Sequence, residues 1–435
     1  METSYRQIRR IALPIMGASL AQNAVSLIDT AFLGLIGSTE LAAGGISVLF
    51  FLTIGFIGLG LGTGVQVLSA QLLGEGTPEK LGSLLRQSLW VGSVIGIFLT
   101  LCLAYGAEPL VQALLHEEST QRTAATFLEG RSLELFPLML FGILRGYYSG
   151  TAQTPFILQA NLLLAFTNLF LNTLFVLGLN WGIKGVIAGS VLAQYLATGY
   201  LLGALRFQRY DLIHKTTQNW LLSLARYAGP AILQNLVGMV GWVVFFLLIE
   251  RRGSLALASA NIVRSLYSFS MLPTWAFSTA VGTLIGYFWG ARNQRALLKA
   301  FWRTFLLSQG LNCLIALSLV AFAPLWVQLF TQDQLIREQA SRDLFMIAIS
   351  IVLMPASALL ISAVVGVGRV LQAFLVEVGV VLLYVGYAIL LDKLEVSLTW
   401  MWSAEWVYWI PSAVILAVLW LERVRSLKAL TPALL

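Results

Sequence analysis

Long stretches without charge, broken by short polar or turn-rich segments, recur from one end of the chain to the other. Runs of about 18 or more apolar residues read as membrane-spanning helices. They fall at 8–36, 46–72, 82–105, 133–151, 157–179 and 184–205, and again at 224–249, 262–289, 298–322, 343–366, 371–391 and 402–421. The pattern predicts an all-α polytopic membrane protein of twelve transmembrane helices, because in lipid a segment must satisfy its own backbone hydrogen bonds. The first run, Ile11 to Ile36, is too long for a signal-peptide core and is read as a retained span.

The pattern also repeats. Sliding the chain by about 216 residues brings Pro14 onto Pro230. The same register pairs Gly37-Ser38 with Gly253-Ser254, Leu41-Ala42 with Leu257-Ala258, Ile46 with Ile262 and Gly74 with Gly290. Six spans per half is an even number, so both halves start on the same side and the repeats are parallel. Two pseudosymmetric six-helix lobes are expected, 1–205 and 224–435, joined by a connecting loop at 206–223 and enclosing a substrate cleft.

Composition agrees: 58% of the residues are hydrophobic and 11% charged, against about 25% charged in soluble domains. The net charge of +7 comes from scattered residues and forms no aromatic-interleaved patch, so nucleic acid is not an expected partner. The lipid bilayer is. With the N-terminus inside, roughly two thirds of the Lys and Arg fall on the inner side, which orients the chain in a plasma (inner) membrane with both termini cytoplasmic. The outer loops collect acids: Glu108, Glu117, Glu118 and Glu129 in one, Asp392, Glu395 and Glu405 in another. Cys102 and Cys313 lie in apolar runs and suggest neither a disulfide framework nor a metal cluster.

Two acids stand well inside the apolar runs, away from their ends, Asp29 and Glu377. A charge at the centre of a span costs about 2.5–3.5 kcal/mol on insertion scales, so each needs a reason. At 1.5 Å per residue, Asp29 lies roughly 12 Å below the outer surface, Asn172 roughly 10 Å, Asn168 one turn deeper and Ser190 roughly 12 Å. One layer in the outer half of the first repeat therefore holds Asp29, Asn168, Asn172 and Ser190. A carboxylate among amide and hydroxyl oxygens can hold a proton or ligate a small cation, Na⁺ at Asp29, Asn168 and Asn172. The competing reading of the amides is interhelical polar glue, worth about 0.6 kcal/mol per bond.

Pro14 reads as a hinge or a packing kink in the first span. Gln22, Gln194 and Glu377 are assigned to the substrate cavity. Glu377 has three readings, a second proton site, a substrate contact or a partner for Arg369, with pairing or packing preferred. The glycines at 55, 58, 60, 62 and 64 suit close helix packing, since no Lys-Ser/Thr follows to make a phosphate loop. His116 and His214 lie outside the spans and no catalytic motif is present, so an enzyme is not expected.

Pro14 and Asp29 in the first span, the string Asn168-Leu-Phe-Leu-Asn172-Thr-Leu-Phe-Val-Leu-Gly178, and Trp181-Gly182-Ile-Lys-Gly185-Val-Ile-Ala188 together resemble the multidrug and toxic compound extrusion (MATE) family, in its DNA-damage-inducible F-like branch. The resemblance covers essentially the whole chain. It implies an antiporter that exports amphipathic or cationic small organic compounds as H⁺ or, second, Na⁺ enters, with no cofactor and as a monomer. By matching positions, Asp29 corresponds to the family's first-span acid, Asn168 to its fifth-span asparagine and Ser190 to its sixth-span hydroxyl. Asn172 stands where that branch commonly has aspartate, leaving one formal negative charge in the site. The nearest alternative in the same superfamily is a lipid-linked oligosaccharide flippase, which commonly lines its cavity with basic residues, whereas these spans read as nearly free of Lys and Arg.

Overall fold

The computed structural model describes residues 1–115, 117–207 and 218–430; His116, His214 and most of the expected connecting loop lie outside them. The first half contains α1 (Tyr5–Ile36), α2 (Ser38–Gly74), α3 (Leu81–Leu114), α4 (Glu118–Ser132), α5 (Leu135–Gly150), α6 (Pro155–Asn172) and α7 (Ile183–Ala204). The second contains α8 (Leu221–Glu250), α9 (Ser254–Gly290), α10 (Gln294–Ala321), α11 (Ala323–Gln328), α12 (Gln334–Gly366), α13 (Val370–Lys393), α14 (Leu398–Met401) and α15 (Ala404–Leu430). The chain is all-α among the described residues. Ten helical segments there are long and apolar enough to cross a membrane. The short α5 and the serine-rich α9 complete the twelve spans.

The repeat is visible in the helix borders. α2 and α9 are each 37 residues long, and Pro14 and Pro230 lie inside α1 and α8. One difference bears on the site: α12 runs unbroken for 33 residues, whereas its counterpart in the first half breaks into α4 and α5 around Leu133 and Glu134. The segment expected to be an acidic outer loop is thus largely the helix α4, with Ala124, Phe127, Leu128 and Arg131 buried.

The chain divides into two compact units. One comprises Leu13–Leu72 and Gly76–Ile232, the other Met1–Ala12, Leu73–Glu75 and Leu233–Leu435. The borders fall inside α1 and α8, beside Pro14 and Pro230. In the first unit, α6 packs along α7 and α3 along α4 and α5. α2 and α5 approach through glycines, where a β-carbon on Gly62 would lie 2.4 Å from the Gly142 carbonyl oxygen and one on Gly146 2.0 Å from the Gly62 oxygen. Only a hydrogen fits there, which is how small residues let membrane helices meet backbone to backbone. In the second unit, α12 packs against α9, α10 and α15, and α13 against α15.

Candidate functional site

Asp29 lies on α1 with two turns of helix beyond it, and its side chain turns into the first unit rather than toward lipid, 5% exposed. Asn168 and Asn172 stand one turn apart on α6, so both amides leave the same helix face. Ser190 comes from α7, which runs back along α6 after a turn at Asn180 and Gly182, both at φ 55°. Gly182 has ψ −136°, a backbone geometry that a side chain resists. Directly after Asn172 the helix widens into a π-turn, Thr173–Gly178, closed by Leu179 N–H donating to the Leu174 oxygen at 2.9 Å. Such bulges occur often at functional sites.

These elements converge on one carboxylate. Asn168 Nδ2 and Asn172 Nδ2 each donate to Asp29 Oδ1 at 3.0 Å, and Ser190 Oγ lies 3.0 Å from both carboxylate oxygens. The second amide proton of Asn168 goes to Ser190 Oγ at 3.1 Å, that of Asn172 to Asn168 Oδ1 at 3.4 Å. Of the side-chain atoms in this network, Asn172 Oδ1 is left buried without a partner. Phe32, Leu33, Phe127, Val176, Val186, Ile187 and Val191 form the apolar cluster beside this network.

The fourth donor was not anticipated. Arg131 Nη1 reaches Asp29 Oδ2 at 3.3 Å, while its Nε and Nη2 hold Glu134 Oε2 at 2.8 and 2.6 Å. Arg131 and Glu134 are each 8% exposed. The guanidinium carbon lies 4.7 Å from the centre of the Phe51 ring and 5.5 Å from that of Phe127. The first lobe therefore carries an Asp29–Arg131–Glu134 triad exactly where α4 breaks from α5, and the surroundings of Asp29 are not purely amide and hydroxyl. In sequence Arg131 reads as a loop residue just outside a span. Its spacing from Glu134, i,i+3 as on a helix, was the available signal.

Among the cavity candidates, Gln194 is buried on α7 one turn beyond Ser190, with Nε2 unpartnered. Gln22 is exposed and does not join Asp29; Pro14 is half-buried within α1. Glu377 is buried on α13 and accepts from Tyr408 Oη at 2.5 Å. Arg369 instead pairs with Glu422 at 3.3 Å, so the expected Arg369–Glu377 pairing is corrected: the helix directs Arg369 toward α15 at its inner end. The second half also holds two acids that the apolar runs concealed. Asp343 at the edge of its run accepts from Ser259, Gln339 and Thr399, and Glu405, read as a loop acid, is 2% exposed in the first turn of α15. Arg264 likewise lies within α9, over the Phe246 ring, so the spans are less free of basic residues than they read. No group of three or more His, Cys, Asp or Glu positioned for a metal ion occurs among the described residues.

The model of the MatE family matches the chain twice, at residues 14–174 and 230–390, the two matches in the register of the internal repeat. A probable multidrug resistance protein NorM of Synechocystis is 27% identical over 55% of this chain and 52% of its own length. The NorM protein of Thermotoga maritima is 23% identical over 77% and 74%, and DETOXIFICATION 42 of Arabidopsis thaliana 23% identical over 75% and 74%. Among solved structures, a MATE in complex with MaL6 superposes with a TM-score of 0.90 at 18% identity, covering 99% of this chain and 98% of that one. A transporter of the MOP superfamily from Pyrococcus furiosus, described as having a binding pocket of reversed polarity, gives 0.88 at 18% identity, covering 99% and 97%. With both halves matched and the twelve-helix architecture in place, the chain belongs to the MATE family of membrane transporters.

Proposed function

We propose that this transporter is a secondary active exporter, an antiporter that moves amphipathic or cationic organic compounds out across the plasma membrane as protons enter, with both termini in the cytoplasm. The observation that carries the reading is the closed shell around Asp29: one buried carboxylate held by two amides, a hydroxyl and a guanidinium. An intramembrane acid so enclosed is a site where charge can be taken up and released. The triad makes that change tolerable. When Asp29 takes a proton, Arg131 keeps its two bonds to Glu134, so no buried guanidinium is stranded.

Arg131 also bears on the ion. A unit positive charge about 4 Å from a second cation opposes it by roughly 4 kcal/mol at an effective dielectric near 20. Na⁺ at Asp29 meets that repulsion, and the amides of Asn168 and Asn172 present nitrogen rather than oxygen to the carboxylate. A proton on Asp29 likewise gives up the attraction of Arg131 for the carboxylate, but it needs no shell of oxygen ligands, so the amide nitrogens do not oppose it. Pro14 is the proposed hinge, supported by the unit border beside it. Gln194 and Glu377 remain cavity candidates, and the lobes at 1–205 and 224–435 the proposed moving parts.

The test is ethidium efflux from proteoliposomes under separately imposed H⁺ and Na⁺ gradients, with the wild type and Asp29→Asn. Efflux driven by H⁺ and lost in Asp29→Asn is expected. Efflux driven by Na⁺ alone, or retained in Asp29→Asn, refutes the coupling site; efflux under neither gradient refutes the antiport.

A further inference from the structure

In the register of the repeat, the second half has no acid where the first has Asp29: Phe245 stands there, and Tyr384 stands opposite Asn168. The packing is nevertheless kept. The Phe245 and Tyr384 rings lie 5.9 Å apart, as Asp29 and Asn168 meet in the first half. The acid comes from another helix. Glu405, one residue short of the position matching Ser190, projects from α15 into this layer.

Glu405 accepts from Tyr267 Oη of α9 at 2.9 Å and from Tyr384 Oη of α13 at 3.2 Å, and Trp409 Nε1 donates to Tyr267 Oη at 2.8 Å. Phe245, Trp242 and Trp402 enclose the cluster: the Trp242 and Tyr267 rings stack at 6.0 Å, and those of Phe245 and Trp402 lie 5.1 Å apart. The remaining charged groups of the region are engaged elsewhere. Asp343 of α12 is held by Ser259, Gln339 and Thr399, and Arg264 of α9 lies over the Phe246 ring on an exposed side. Tyr408 of α15 donates to Glu377 of α13. No Lys, Arg or His is a hydrogen-bond or ion-pair partner of Glu405 among the described residues.

We infer that Glu405 is a second proton-binding site, built into the other half of the repeat and lined by the phenols of Tyr267 and Tyr384. An unpaired carboxylate out of water costs several kcal/mol, and the phenols offset only part of this. Binding one proton to a carboxylate oxygen gives a neutral acid and removes the cost; no other bond changes. Asp29 has Arg131 for its charged state, whereas Glu405 has only neutral donors. The two halves therefore hold carboxyls of different surroundings, and antiport can draw on both. The inference extends the proton-antiport reading, but its test does not depend on Asp29.

Infrared difference spectra of the full-length protein in lipid nanodiscs, taken across a pH titration, read the carboxylic C=O band directly. Asp29→Asn is expected to retain a protonatable band that Glu405→Gln, made in that background, removes. Tyr384→Phe keeps the acid and is expected to move the band to higher frequency, since a carbonyl relieved of a donor stiffens. The conservative Tyr variant also covers the case in which Glu405→Gln does not fold. A spectrum unchanged by Glu405→Gln, or a band unmoved by Tyr384→Phe, overturns the inference. Loss of every protonatable band in Asp29→Asn overturns it too, while export retained in Asp29→Asn refutes only the Asp29 coupling site.

Discussion

Gly189 of α7 faces the amide of Asn172 on α6 so closely that a β-carbon at position 189 would stand 2.1 Å from Asn172 Oδ1 and 3.3 Å from its backbone nitrogen. The glycine sets the amide that reaches Asp29. Gly189→Ala is expected to turn that amide away and to lower proton-driven efflux on the order of tenfold, with an overpacking cost of about 1–3 kcal/mol. Efflux rate and thermal unfolding, measured on the same preparation, check the two halves of the statement.

Removing the cation of the triad leaves two buried carboxylates facing each other. Arg131→Met is expected to destabilise the protein by roughly 3–5 kcal/mol, and Arg131→Met with Glu134→Met to recover part of the loss. With the competing positive charge gone, Na⁺ should then raise the unfolding temperature of the double variant more than that of the wild type. An equal Na⁺ response in both shows that Arg131 does not set ion choice.

Asn172→Asp adds a carboxylate beside Asp29, at a position that is fully buried. Hard oxygen ligands with an extra negative charge bind a small cation more tightly, so Na⁺ affinity by isothermal titration should rise. Tight Na⁺ binding by the wild type, unchanged in the variant, would falsify the account of the missing charge.

Gly146→Ala tests the α2–α5 contact, because its β-carbon would lie 2.0 Å from the Gly62 carbonyl oxygen. Forcing the helices apart is expected to lower stability by about 1–3 kcal/mol. Gly199→Ala, where nothing lies within 4 Å, is the control and should be neutral or slightly stabilising. Equal effects at both sites would show that backbone approach is not what the glycine provides.

The sequence by itself determined the helices, their number and the repeat, because hydrocarbon accepts few alternatives to long uncharged helices and each leaves its mark on consecutive residues. It also brought Asp29, Asn168, Asn172 and Ser190 to one depth, since depth along a straight helix is arithmetic. Azimuth and partners are another matter. Gln22 shares a helix face with Asp29 yet is exposed, and Glu377 meets Tyr408 rather than Arg369. Arg131 flanks an apolar run and Glu134 and Glu405 stand within four residues of the start of theirs, where hydropathy alone does not bury a charge, and the packing of α4 against α7 and of α15 against α13 carries them inside. Hydropathy reports what a segment is made of, whereas a buried charge is placed by the partners that other segments bring to it, and those contacts exist only in the tertiary structure.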